Sequence, residues 1–352
     1  MLINYIKIFL PAIIAFILGI LITPIASHFF YKFKMWKKYS RNQSTNLEFQ
    51  KIHNEKEELK TPRVGGIIIW FSISLTILLF FIFSLSFPSV ISSKINFLSR
   101  GQTLIPFFAL ILGSILGLWD DLIQIYGKGK IARDDKTWRR WKVLIITFIS
   151  LLIGLWFFYK LGMTTIHIPF GGEFFVGILI IPIFIIVSLA TFSGGVIDGI
   201  DGLSGGVLAS IFAAYTVIAF SNQQIDLAAF SATITGATLA FLWFNIPPAR
   251  FYMGETGILG LAMTLSVVAF LTNSVIVLPI IGAVLVVESA SVMIQLISKK
   301  LRHGKKVFLV APIHHHFEAK GWPAYKVTMR FWVISFVMSI LGLVIVLIDK
   351  TL

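Results

Sequence analysis

Ten long apolar stretches recur along the chain, at residues 8–31, 64–87, 103–119, 143–159, 174–192, 203–220, 228–245, 257–272, 275–297 and 329–348. Crossing a bilayer takes about 20 mainly apolar residues, and inside hydrocarbon the backbone must satisfy its own hydrogen bonds. Stretches of this length therefore predict a bundle of transmembrane helices. Composition agrees: 57% of the 352 residues are hydrophobic and 13% are charged, more apolar side chain than a soluble core can hide. The first stretch is too long for a signal-peptide core and lacks a cleavage pattern, so it is expected to remain as a helix. The expected fold is an all-α polytopic membrane protein, a single integral-membrane domain over residues 1–352.

The charges orient this bundle. Of 30 Lys and Arg residues, 25 fall in the loops after the odd-numbered stretches, and the positive-inside rule assigns those loops to the cytosol and both termini to the outside. The formal charge of +14 is mostly this bias and requires no nucleic-acid partner. Acidic residues share the asymmetry, which the rule does not demand: twelve of 16 lie in the same five loops. One membrane face thus collects nearly all the groups capable of chemistry. Cysteine is absent, which excludes disulfides and thiol catalysis.

Each inner loop carries a distinct polar string. The first ends Lys60-Thr61-Pro62-Arg63-Val64-Gly65-Gly66; its glycines admit close helix packing or a ligand, and Lys60 is either an anion site or an inside-positive anchor. The second opens with Trp119-Asp120-Asp121. Adjacent carboxylates raise each other's pKa unless a cation neutralises them, so the pair is either a solvated helix end or a site for a hard divalent ion such as Mg²⁺. Asp134-Asp135, deeper in that basic loop, is read as solvated. The third, SGGVIDGIDGLSGG, sets Asp198 and Asp201 three apart, on one face if a helix starts there. The fourth, FNIPPARFYMGETG, breaks at Pro247-Pro248 and offers Asn245 and Glu255 as metal-shell oxygens and Tyr252 as a ring for a base. The fifth runs from a basic cluster into APIHHHFEAKGW. Three adjacent imidazoles do not converge on one ion from a helix or strand, which argues against zinc and leaves a phosphate or its metal, or a solvated tract. Glu288 lies inside the ninth stretch, where a structural hydrogen bond is the expected role.

Taken together, TPRVGG, WDD, DGIDGL, FNIPPARFYMGETG and PIHHHFEAKGW followed by RFW resemble the phospho-N-acetylmuramoyl-pentapeptide transferase family, within the polyprenyl-phosphate N-acetylhexosamine-1-phosphate transferases. The likeness runs the length of the chain, and the histidine string is its most specific part. It implies an enzyme of the bacterial inner membrane, active face to the cytoplasm. Such an enzyme moves phospho-MurNAc-pentapeptide from UDP-MurNAc-pentapeptide to undecaprenyl phosphate with Mg²⁺, releasing UMP and making lipid I. By the same likeness Asp120 is the general base, or the nucleophile of a two-step route, and Asp121 assists at the metal. Glu255 is the main metal ligand with Asn245 behind it, and His314 and His315 bind the diphosphate. Asp198, Asp201 and Tyr252 hold the uridine, and Lys60 and His316 complete the substrate contacts. Membrane lipids are implied partners, and a homodimer is allowed.

Three positions depart from the family pattern. Glu255 stands where Asp is usual, Gly195 where Asn is usual, and Gln124 where a lysine is expected. A sister transferase with another UDP-linked N-acetylhexosamine is the nearest alternative. A transporter would instead place ionisable groups at mid-membrane and show inverted repeats; Glu288 is nearly alone at depth and no repeat is seen.

Overall fold

A computed structural model describes residues 2–38, 47–52, 58–99, 101–127 and 136–351; Asp134 and Asp135 lie outside them. Among the described residues, nine helices are long and apolar enough to cross a membrane. The chain opens with α1 (Leu2–Lys32), the short α2 (Leu47–Ile52), α3 (Gly66–Ser86), α4 (Val90–Ile95), α5 (Leu104–Tyr126) and α6 (Lys136–Leu161). After a β-hairpin come α7 (Ile180–Ser193), α8 (Leu203–Ser221), α9 (Ile225–Asn245) and α10 (Gly254–Leu271). The chain closes with α11 (Leu278–Ile281), α12 (Ala283–Leu301), α13 (Ile313–Ala319) and α14 (Ala324–Asp349).

Two expectations change. The stretch 275–297 is not one rod: it breaks at Gly282 between α11 and α12, and α12 ends in Lys299 and Lys300. The protein is also not purely helical, because Thr165–Ile168 and Gly172–Phe175 pair antiparallel. A hairpin of four-residue strands carries too short a pattern to stand out beside 20-residue apolar runs.

The apolar residues point both ways. Ile13, Ile17, Leu21 and Ile25 on α1, and Val333, Val337, Ile340 and Val344 on α14, are exposed. In water such faces would be anomalous; along rods of this length they are lipid-facing sides. The inward side is closed by small residues. α10 is buried almost throughout, from Thr256 to Phe270, and packs most closely on α5. A Cβ added at Gly117 of α5 would lie 2.1 Å from the Glu255 carbonyl oxygen, so only glycine lets the two backbones approach this far. Gly65 and Gly66 serve the same end, donating backbone N–H groups to the carbonyls of Tyr252 and Met253.

Helix direction fixes the two ends. α5, α7 and α9 finish where α6, α8 and α10 begin, and there the polar strings gather. The hairpin sits at the opposite end, where His167 bonds Asp349 and the Asn273 side chain bonds Glu173.

Candidate active site

The site begins with an electrostatic conflict. Asp120 and Asp121 sit in the last turns of α5, a helix end that disfavours negative charge, and both are buried, 2% and 0% exposed. The start of α10 resolves it. Asp121 accepts the N–H of Glu255 (3.3 Å) on one oxygen and that of Thr256 (2.9 Å) on the other, so it caps a neighbouring helix from outside. Asp198 takes the preceding N–H, from Gly254, at 3.0 Å, and its other oxygen accepts from the Ser204 hydroxyl. One helix N-terminus thus binds the second and third inner loops together.

Two cations complete the balance. Arg63, buried, lies with Nε 3.7 Å from Asp121 Oδ1. Burial opposes its charge, but Asp121, Asp198, Glu255 and Glu58 outweigh that and raise its pKa further, so it stays a cation. Lys142, from α6, reaches Asp120 Oδ2 at 2.9 Å and Glu255 Oε1 at 3.2 Å. Trp138 on the same helix donates to the other oxygen of Asp120, and Gln124 to the same oxygen as Lys142, at 3.3 Å.

Beside this cluster lies a cavity of about 430 Å³ lined by Arg63, Asp198, Glu255 and His315, with Gly195 and Ile258 on an apolar side. The histidine string forms the short helix α13, not a loop. His314 Nδ1 lies 2.8 Å from Glu288 Oε2, with both side chains fully buried, and His315 Nδ1 lies 2.6 Å from Glu318 Oε2. A Cβ on Gly199 would meet His314 Nε2 at 2.2 Å and His315 Nε2 at 3.1 Å, so glycine lets the third loop lie against both rings.

The candidates divide accordingly. Asp120, Asp121, Asp198, Glu255, His314 and His315 come together. Asn245 is adjacent but spends its amide locally: Oδ1 accepts from the Gly202 N–H and Nδ2 donates to the Phe251 carbonyl. Asp201 does not share a face with Asp198. The backbone between them is irregular, with Gly202 at φ +77°, and α8 starts only at Leu203, so Asp201 turns away to accept from the Ala249 N–H. Tyr252 pairs its backbone with Pro62 and Gly65, and its ring is not among the cavity walls. Lys60 is exposed and also off the cavity, while Arg63 from the same string faces it. His316 Nδ1 accepts the Leu309 N–H at 3.1 Å. Its pKa is lowered by burial and by Lys320, which suits that neutral acceptor. Arg63, Lys142 and Glu318 are the residues that sequence reasoning passed over, and Glu288, read there as an interior hydrogen-bonding group, meets His314.

A bundle of apolar helices with carboxylates, cations and imidazoles gathered at one end is the architecture of an integral-membrane glycosyl transferase, and the model of glycosyl transferase family 4 matches residues 103–273. Over nearly the full chain, the protein is 35% identical to the phospho-N-acetylmuramoyl-pentapeptide-transferase of Geobacillus sp. strain WCH70, across 95% of this chain and 97% of that one. It is 34% identical to those of Bacillus pumilus and Listeria monocytogenes serovar 1/2a, each across 95% of this chain and 96% of the relative. The chain belongs to the phospho-N-acetylmuramoyl-pentapeptide-transferase family.

Proposed function

We propose that the protein transfers phospho-MurNAc-pentapeptide from its UDP carrier to undecaprenyl phosphate, giving lipid I and UMP, on the cytoplasmic face of a bacterial inner membrane, with both termini outside. The observation that carries this is the meeting of five connections, remote in sequence: Arg63, Asp198, Glu255 and His315 line one cavity, and Asp120 with Asp121 lie behind it, tied to Glu255 through Lys142 and to Arg63 directly. An acceptor phosphate oxygen attacks the sugar-bearing phosphorus, a new P–O–P link forms, and the old anhydride breaks to release UMP. Joining two anions calls for positioning and charge neutralisation more than covalent help.

The donor set fits a Mg²⁺ ion. Asp120 and Glu255 already converge on one small cation, the Lys142 ammonium, and hard carboxylate oxygens with substrate phosphates are what Mg²⁺ uses. Glu255 opens on the cavity and with Asp120 would hold the ion, while Asp121 and Asn245 set the backbone around it. Bound there, Mg²⁺ supplies neutralisation of the phosphate oxygens. Arg63 and the His315 imidazole would face the diphosphate, with His314 packed behind His315. Lys142, displaced from the two carboxylates, would be within the site to meet a substrate oxygen.

A sister transferase is favoured by one local feature: a side chain at Gly195 would meet Ile258 Cγ2 at 2.4 Å, so the wall is reshaped where the family pattern has Asn. The test separates the two. Purified protein with undecaprenyl phosphate should release UMP from UDP-MurNAc-pentapeptide and not from UDP-GlcNAc, and EDTA should stop it. Release from UDP-GlcNAc alone would replace the proposal with the sister reaction.

A further inference from the structure

The two adjacent imidazoles of α13 are not held alike. His314 and Glu288 form a pair with no exposure, sealed between α12 and α13. His315 and Glu318 lie one turn apart on α13, about 10% exposed, and His315 lines the cavity itself. Phe49, on α2 from the first inner loop, meets the His315 ring edge-on with centroids 5.4 Å apart, and the His314 ring flanks it at 4.1 Å. With Nδ1 on the Glu318 carboxylate and Nε2 on the Gly199 side, a glycine that also lines the cavity, the orientation of the ring is set.

We infer that Glu318 is a positioning residue for the transfer reaction, orienting His315 and stabilising it as an imidazolium so that Nε2–H is presented to the donor's diphosphate. This rests on the proposal that the cavity takes a nucleoside diphosphate. The chemistry is that of an imidazole between two anions. A neutral ring that gives its Nδ1–H to a carboxylate turns a bare lone pair outward, which repels phosphate. An adjacent carboxylate stabilises the doubly protonated ring, whose Nε2–H then makes a charge-assisted bond to a phosphate oxygen. Phe49 and His314 add packing on the ring and oppose rotation.

The test compares binding of UDP and of uridine to the full-length protein in detergent with Mg²⁺, by calorimetry, for wild type, Glu318→Ala and Glu318→Gln. Uridine lacks the group that His315 contacts, so it reports on the fold of the nucleotide site. Wild type should prefer UDP strongly. Glu318→Ala should weaken UDP by about tenfold or more, the worth of a hydrogen bond to a charged group, while uridine changes by less than about twofold. Glu318→Gln, which keeps an acceptor but not the charge, should fall between. If Glu318→Ala keeps the wild-type ratio of UDP to uridine affinity, the inference is wrong. If that variant binds neither ligand, Glu318→Gln decides: a reduced ratio supports the inference and an unchanged one overturns it. A wild-type protein indifferent to the diphosphate would overturn the cavity assignment and this role with it.

Discussion

Lys142 shows how a single side chain can govern a site. Removing one partner of a buried ion pair costs about 3–5 kcal/mol because the remaining charge is left uncompensated. Lys142→Met strands Asp120 and Glu255 together, so its melting temperature should drop and UMP release should fall by about 100-fold or more. On the proposal that Mg²⁺ takes the two carboxylates the ammonium now holds, the Mg²⁺ concentration giving half-maximal thermal stabilisation should move lower in this variant. An unmoved midpoint would show that the ion binds elsewhere. Glu255→Gln and Asp121→Asn should differ in kind. The Glu255 side chain is 28% exposed, so its variant should lose turnover with little change in melting. Asp121 caps two N–H groups with no exposure, so Asp121→Asn should also cost about 1–2 kcal/mol of stability. Lys142 and Arg63 could not be singled out beforehand because positive-inside bias puts lysines and arginines in nearly every inner loop, and their pairing is visible only once α5, α6 and α10 are packed. The pairing of Glu288 with His314, 26 residues apart, escaped for the same reason.

Among elements, the α5–α10 contact carries the site, since α5 ends in the aspartates and α10 begins with Glu255. Gly117→Ala would drive a methyl against the Glu255 carbonyl, and we expect it to lower both melting temperature and activity. Gly101→Ala, with open space around its Cβ, should change neither. The glycine-rich third loop marks the limit of pattern reading. A spacing of three implies a shared face only if the backbone is helical, and here it is not until Leu203. The fifth loop adds a pH dependence. The folded pKa of His316 is lowered by burial and by Lys320, so the support it gives Leu309 is fully present above the ordinary histidine value and is lost as pH falls through the lower folded value. Hydrogen exchange at the Leu309 amide, corrected for intrinsic rate, should therefore quicken only at pH values below the ordinary histidine range. His316→Asn, whose amide oxygen accepts at any pH, should abolish that acceleration.

For the whole molecule, apolar run length made nine spans legible, and charge bias made the orientation an explicit expectation. The break at Gly282 was hidden because a glycine within an apolar run does not by itself announce a discontinuity. Orientation can be measured directly, as the native chain has no cysteine. Single cysteines at Lys305 and Glu173 should react with an impermeant maleimide from opposite sides of the membrane, Glu173→Cys from the outside. Labelling of both from one side would break the proposed topology.

The protein's own ammonium and guanidinium groups already balance much of the carboxylate charge at the head of α10. An enzyme so arranged should survive being stripped of divalent ions, idle but intact, and resume work when they return. Chelation would then act as a reversible brake and not as a route to collapse.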